Sequence, residues 1–167
     1  ETMLWDDVFY SAPRRVYGFY TKEELKWHIQ KRTTLKDIRK ATINKEIAGK
    51  GRPYQIEAIQ RVAESFVTDG KDGLRGAKRQ ALLVMATGSG KTRTAAALVD
   101  VLFKNNWVKR VLFLADRNAL VRQAQTNFGE YLPNLTSIDL TQEKENDTTR
   151  LVFSTYPTMM NRIDSMQ

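Results

Sequence analysis

No cysteine occurs among the 167 residues, which excludes disulfides and thiolate metal sites and suits a reducing compartment. Histidine occurs once, at His28, so no histidine cluster can form a metal centre. No run of 18 apolar residues exists, and Met3–Trp5 is too short for the core of a secretory signal. Neither a membrane span nor a signal peptide is expected. Acidic residues are outnumbered, 19 against 27 basic ones, for a net charge of +8 and a pI near 9.8. Such an excess suits a phosphate-rich partner, whereas a basic surface that serves only solubility is the plainer alternative. ATP and nucleic acid are both polyanions, so charge alone does not separate them. The 41% of hydrophobic residues suffices for the core of one domain, or of one domain with an appendage. The first residue is Glu1 rather than methionine, and the chain is expected to be a fragment.

The most informative stretch is Gln80–Thr92, Q-A-L-L-V-M-A-T-G-S-G-K-T. Ala81–Met85 is an apolar run that predicts a buried strand. A glycine-containing turn follows, then Lys91 and Thr92, then an Ala-rich run over Ala95–Val99 that predicts a helix. Strand, turn, Lys-Thr and helix are the parts of a phosphate-binding loop. Backbone N–H groups of such a turn converge on a phosphate, and the helix dipole favours its charge. Gly88 and Gly90 lack a Cβ, so the backbone can curl tightly around an anion. In a loop of this kind Lys91 bridges the outer phosphates and the Thr92 hydroxyl ligates Mg²⁺. The full template, G-x-x-x-x-G-K-[ST], places its first glycine at Met85, so one glycine is missing. A Gly-Ser-Gly turn that happens to precede a lysine is the bland alternative. The expected flanking strand and helix weigh against it.

The rest of the chain supplies context. Glu1–Tyr20 is rich in aromatics (Trp5, Phe9, Tyr10, Tyr17, Phe19, Tyr20), with a short strand expected near Val16–Tyr20. Thr21 and Glu24 have the spacing of a capping box, so a helix should run from there to about Lys31. His28 lies on it and has no evident partner ligand. Thr33–Lys40 predicts a second short helix with Leu35 and Ile38 inward, on a basic stretch. Pro53 suits a first helical position, and Ile56, Ile59, Val62 or Ala63, and Phe66 recur at helical spacing to about Val67. Gly70–Ala77 predicts an exposed loop or hairpin. A helix from Lys91 to about Lys104 and a strand over Val111–Ala115 make, with the preceding run, a parallel crossover. Asp116 or Asn118 would cap the next helix, with Leu120, Ala124 and Phe128 on one face and Pro133 at its exit. Short strands at Ile138–Leu140 and Leu151–Ser154 and a helix at Thr158–Ile163 complete the chain. Strands alternating with helices after residue 80 predict an α/β fold with a mostly parallel sheet.

Four stretches stand in a recognisable order: Arg52-Pro53-Tyr54-Gln55, Ala86–Thr92, Leu114–Ala124 and Phe153–Asn161. Together they resemble the first, RecA-like motor domain of superfamily 2 helicases and translocases. Within that group the chain is most similar to the restriction (motor) subunit of type I restriction enzymes. The resemblance covers about residues 50–163. It divides the chain into an N-terminal extension, residues 1–48, and the N-terminal part of the motor domain, residues 49–167.

That resemblance carries roles with it. Gln55 matches the glutamine that reads adenine, for which a carboxamide supplies both donor and acceptor. Tyr54 or Arg52 would stack on the base. Thr87, Gly88, Ser89, Gly90, Lys91 and Thr92 match the triphosphate cradle, with Lys91 the essential residue and Thr92 the Mg²⁺ hydroxyl. Arg117, Asn118 and Thr155 fall at strand ends where the family touches a nucleic-acid backbone, contacts that carry no sequence information. Capping or surface roles are the plainer alternatives for these three. The implied ligands are ATP and Mg²⁺. The implied partners are double-stranded DNA and the specificity and methyltransferase subunits of a restriction-modification complex. The implied location is the cytoplasm of a bacterium or archaeon. The family's hydrolytic Asp-Glu pair occurs nowhere in these 167 residues, and its second motor domain, source of an arginine finger, is not expected within them. The chain is therefore expected to bind ATP weakly and to hydrolyse it negligibly. A P-loop kinase would not need Arg52–Gln55 or the 114–124 stretch. A DNA-repair or RNA helicase of the same superfamily shares them, and a stand-alone nucleotide- or nucleic-acid-binding module is the non-enzymatic alternative.

Overall fold

The computed structural model describes residues 2–6, 10–16, 20–70, 73–78, 80–144, 146 and 148–164. An antiparallel hairpin comes first, β1 (Thr2–Asp6) and β2 (Tyr10–Val16). Of the strand expected near Val16–Tyr20, Val16 ends β2 and residues 17–19 lie outside the described residues. Helix α1 (Lys22–Thr34) begins at the predicted capping box. Thr21 N–H donates to the Glu24 carboxylate at 2.9 Å, and Glu24 N–H donates back to the Thr21 hydroxyl at 3.3 Å. The helix outruns its expected end at Lys31, and the second helix predicted over Thr33–Lys40 shrinks to a 3₁₀ turn at Ile38–Lys40. The backbone leaves the helix where Lys36 N–H donates to Asn105 C=O at 3.2 Å, and Asp37 then caps the short turn, its carboxylate accepting from Arg39 N–H at 3.0 Å.

Helix α2 (Pro53–Phe66) has proline at its first turn and buries Ile59, Val62 and Ala63, with Ile56 and Phe66 packed at the margin. It passes into a hairpin, β3 (Val67–Gly70) and β4 (Gly73–Gly76), where the sequence predicts a loop or hairpin. Ala77 N–H donates to Phe66 C=O at 2.8 Å and closes the hairpin back onto the helix end.

Helix α3 (Lys91–Lys104) and strand β5 (Val111–Ala115) fall where the sequence predicts them. The next helix, α4 (Asn118–Tyr131), precedes β6 (Ser137–Asp139), β7 (Leu151–Thr155) and α5 (Tyr156–Asp164). The three strands form a parallel sheet in the order β5-β7-β6, so β7 crosses over to the centre. Its five residues are all buried, as a central parallel strand requires. Phe113 on β5, Phe128 on α4 and Phe153 on β7 meet with ring centroids 5.4–5.9 Å apart, and this triangle fastens α4 to the sheet. Ala96, Ala97 and Val101 of α3 and Ile59 and Ala63 of α2 extend the same core.

Two expectations fail around α4. Neither Asp116 nor Asn118 caps it: Arg117 occupies the cap position, with no side-chain cap bond. Val121 rather than Leu120 joins Ala124 and Phe128 on the buried face, and Leu120 is exposed: the stripe through Ala124 and Phe128 continues at a spacing of three residues, not four.

The larger correction concerns Ala81–Met85. It forms no strand, and Leu82 and Val84 are 87% and 89% exposed. An apolar run becomes a buried strand only where a ladder partner and a covering layer meet it. No described strand pairs with this segment.

Arg39 joins two carboxylates, Asp37 at 2.8 Å and Asp69 of β3 at 2.7 Å. Its guanidinium hydrogen bonds hold both carboxyls below the usual carboxylate range. A carboxyl depressed by folding stabilises the fold above its unfolded pKa and ceases to do so as pH falls through the depressed value. Arg39→Gln should therefore lower the melting temperature at pH 7. The gap to wild type should narrow as the pH falls below about 4. Thermal melts of both proteins between pH 2 and pH 7 test this, and a gap independent of pH would count against it.

Candidate functional site

The phosphate-loop segment is built as a turn between an extended stretch and a helix. Residues 87 and 88 form a turn, 89 a bend, and Lys91 opens α3. Gly88 and Gly90 sit at φ +78° and +85°, backbone that L side chains rarely adopt. At Gly90 close approach adds to conformation: a Cβ there would meet Gln55 Nε2 at 2.5 Å. Gly90 caps α3 without a side-chain bond, so the amides of the first turn take no capping oxygen. Ser89 Oγ donates to Ala86 C=O at 2.6 Å and pins the loop on itself. Lys91 Nζ turns back to the loop carbonyls of Ala86, at 3.2 Å, and Met85, at 3.5 Å.

The start of α2 closes against this loop. Arg52 donates to Gly88 C=O at 3.2 Å, the Tyr54 hydroxyl to Ser89 C=O at 2.9 Å, and Gln55 Nε2 to the same Ser89 carbonyl at 2.8 Å. Gln55 Oε1 accepts from Gly49 N–H at 3.1 Å. An N–H on one side and a carbonyl on the other dictate the orientation of the carboxamide. Gln55 is completely buried, and Tyr54 is 45% exposed. Arg52, Tyr54 and Gln55 thus come together with Gly88, Ser89, Gly90 and Lys91, as the sequence groups them. That Tyr54 and Arg52 grip loop carbonyls is not legible in the sequence, because the partners lie 34 to 36 positions away in the chain.

An open groove of about 1050 Å³ runs along the outer side of α2, lined by Gly49, Pro53, Tyr54, Glu57 and neighbours. Tyr54 is shared between the groove and the loop contacts, and none of residues 86–92 lines it.

The three residues matched to nucleic-acid contacts lie elsewhere. Ala115 and Thr155 are register partners at the ends of β5 and β7, so Arg117, Asn118 and Thr155 gather at one edge of the sheet. Arg117 is exposed, with Asp116 at 3.6 Å, and Asn118 is exposed. Thr155 is buried, and its hydroxyl meets Thr158 Oγ1 at 3.0 Å and accepts from Thr158 N–H at 3.4 Å. Its place is that of a cap on α5. One contact ties the helix after the loop to the far end of α4 from Asn118. Arg93, in the first turn of α3, stacks over the Tyr131 ring at 5.2 Å, and Tyr131 is the last residue of α4, whereas Asn118 is its first. A helix of that length spans about 20 Å.

Parallel strands with flanking helices and a glycine turn opening a helix define an incomplete P-loop domain of the helicase type. The model of the family "Type III restriction enzyme, res subunit" matches residues 48–167, and the chain belongs to that family. Among curated relatives it is similar to the EcoAI type I restriction enzyme endonuclease subunit of Escherichia coli, 46% identical over 76 residues, which is 46% of this chain and 8% of the relative. The EcoKI endonuclease subunit of Escherichia coli K12 is 33% identical over 118 residues, 66% of this chain and 9% of the relative. The C-terminal part of a putative type I restriction endonuclease, MpnIIP of Mycoplasma pneumoniae, is 32% identical over 82 residues, 48% of this chain and 40% of the relative. The chain thus spans less than a tenth of the first two relatives. No solved structure matches. The chain is a helicase-like region of the restriction-enzyme kind.

The Gly90 position tests the loop geometry directly. Gly90→Ala combines positive φ with the approach to Gln55, and should cost about 1–3 kcal/mol. Chemical denaturation reads that loss; a variant as stable as wild type would mean the turn has another shape in solution.

Proposed function

We propose that the chain is the ATP-binding portion of an ATP-dependent DNA translocase, the motor of a type I restriction-modification enzyme. The observation that carries this reading is the loop at 86–92. Two left-handed glycines precede an uncapped helix start, with an ammonium and a hydroxyl on its first two residues. That donor set fits a polyphosphate: backbone amides, a cation, and an oxygen for a metal. Lys91 would hold the outer phosphates. Its present partners are neutral loop carbonyls that an anion readily replaces. Thr92 would contribute its hydroxyl to Mg²⁺, which binds such sites through one or two protein oxygens and the nucleotide's own phosphates. Thr87, Gly88, Ser89 and Gly90 supply the loop.

Of the two candidates for stacking on the base, Tyr54 has the support. The residue is 45% exposed and borders the groove along α2, whereas Arg52 is turned to the Gly88 carbonyl. Arg117 and Asn118, exposed at the sheet edge, suit contact with a duplex backbone, and the net charge of +8 favours such a partner. Thr155 serves that contact by fixing the start of α5. The specificity and methyltransferase subunits would be the protein partners, in a bacterial or archaeal cytoplasm. No helix among the described residues is long and apolar enough to cross a membrane. With no Asp-Glu pair in its sequence, the chain itself would hold ATP weakly and turn it over negligibly.

Lys91→Ala should weaken ATP binding by the chain at least tenfold, since a hydrogen bond to a charged group contributes about 1.5–3 kcal/mol. Titration calorimetry with Mg-ATP measures it. In the full-length subunit the same change should abolish DNA-stimulated ATPase activity. Unchanged activity there, or turnover of several per second by the 167-residue chain alone, would overturn the assignment.

A further inference from the structure

We propose that Tyr54, together with Arg52 and Gln55, positions the phosphate loop, turning its amides toward the phosphates by holding its carbonyls from behind. The inference rests on the phosphate-site reading above and adds residues outside the loop to it. The physical step is the geometry of the peptide. All peptides described are trans, and in a planar trans peptide the C=O and the following N–H point in opposite directions. The Ser89 carbonyl is held toward α2 by two donors, the Tyr54 hydroxyl at 2.9 Å and Gln55 Nε2 at 2.8 Å. The Gly90 N–H is therefore aimed away from α2. Arg52 holds the Gly88 carbonyl at 3.2 Å in the same way and so aims the Ser89 N–H. That N–H contacts the Ala86 carbonyl at 3.3 Å, the weak end of the range, and is easily surrendered to an anion.

Three further observations favour positioning over direct contact with a base. Gln55 is completely buried, with one end on Gly49 N–H and the other on the Ser89 carbonyl. Its carboxamide spans two backbone segments and faces no open space. Gly90 admits no Cβ because Gln55 Nε2 and Arg52 occupy the space behind it. A side chain packed there has the loop as its neighbour. Donors on a carbonyl also polarise the peptide, which strengthens the N–H on its other side as a donor. A guanidinium and two neutral donors on successive carbonyls thus raise the loop's affinity for phosphate without touching it. Tyr54 then has two separable parts: a ring that faces the groove and a hydroxyl that faces the loop.

Tyr54→Phe separates them, because it keeps the ring and removes only the hydroxyl at a half-exposed site. The test compares ATP with inorganic tripolyphosphate, which has no base, by titration calorimetry on the 167-residue chain. The expected result is a loss of about five- to tenfold for both ligands, with their ratio unchanged, as for one lost hydrogen bond. Arg52→Ala should act in the same direction and Arg52→Lys should restore part of the loss. The melting temperature without ligand should barely move, while its rise on adding either ligand should shrink. A loss confined to ATP would make the hydroxyl a base contact and overturn the proposal, as would unchanged affinity for both ligands. If the wild-type chain binds neither ATP nor tripolyphosphate, the phosphate-site reading falls, and the proposal with it.

Discussion

Two backbone carbonyls, of Gly88 and Ser89, join the start of α2 to the start of α3, and the shape of the loop depends on that junction. A glycine turn with left-handed residues at 88 and 90 has little stiffness of its own. Its conformation has to be imposed from outside. The imposing element is α2, and α2 is itself fixed by burying Ile59 and Ala63 against α3 and the adjoining core. The loop geometry is therefore inherited from helix packing. The three hydrogen bonds themselves are each worth about 1 kcal/mol net, small beside the burial of the α2 face. They decide direction rather than stability.

The charge arrangement follows the same logic. Lys91 rests on the carbonyls of Ala86 and Met85 at 3.2 and 3.5 Å, and no carboxylate pairs with it among the described residues. A salt bridge at this position would have to be broken before a phosphate could enter, with a desolvated carboxylate left behind. Long contacts to neutral oxygens impose no such barrier. Elsewhere the chain does use carboxylates to hold cations, as where Asp37 and Asp69 share Arg39, and there the contact serves to tie a 3₁₀ turn to a hairpin. The difference fits one cation being structural and the other being kept available.

How far this is legible in the sequence depends on the range of the interaction. Local signals carry well. The capping box at Thr21 and Glu24 forms as its spacing predicts, and Lys91–Lys104 and Val111–Ala115 fall at their expected bounds, because capping and periodicity involve neighbours within a few residues. The crossover of β7 between β5 and β6 is not legible, although parallel pairing is. Ala81–Met85 fails for the converse reason. Its apolar residues state a preference for a strand, but a ladder needs a second strand, and none described pairs with it. Leu120 is misplaced because Leu120 and Val121 both lie beside a stripe through Ala124 and Phe128, at spacings of four and three residues, and which side of that stripe meets the core is set by packing with distant residues. At the site, residue types are legible and their partners are not: the motif gives Gln55 a base to face, while its carboxamide faces two backbone segments.

The placement of α4 constrains how the two halves of the proposed site could communicate. Asn118 opens the helix beside the exposed Arg117, and Tyr131 ends it under the Arg93 guanidinium, in the turn that follows Lys91 and Thr92. The contact of Arg93 with Tyr131 ties the first turn of α3 to one end of α4, and Arg117 and Asn118 stand at its other end. What links them is a rigid element. Phe128 locks α4 to Phe113 and Phe153, so the helix cannot tilt without disturbing the aromatic triangle that fastens β5 and β7. A displacement of the first turn of α3 would reach Arg117 as a movement of α4 and the sheet together. Coupling between phosphate and a nucleic-acid backbone would thus have a mechanical route, carried by packed side chains that move as one body.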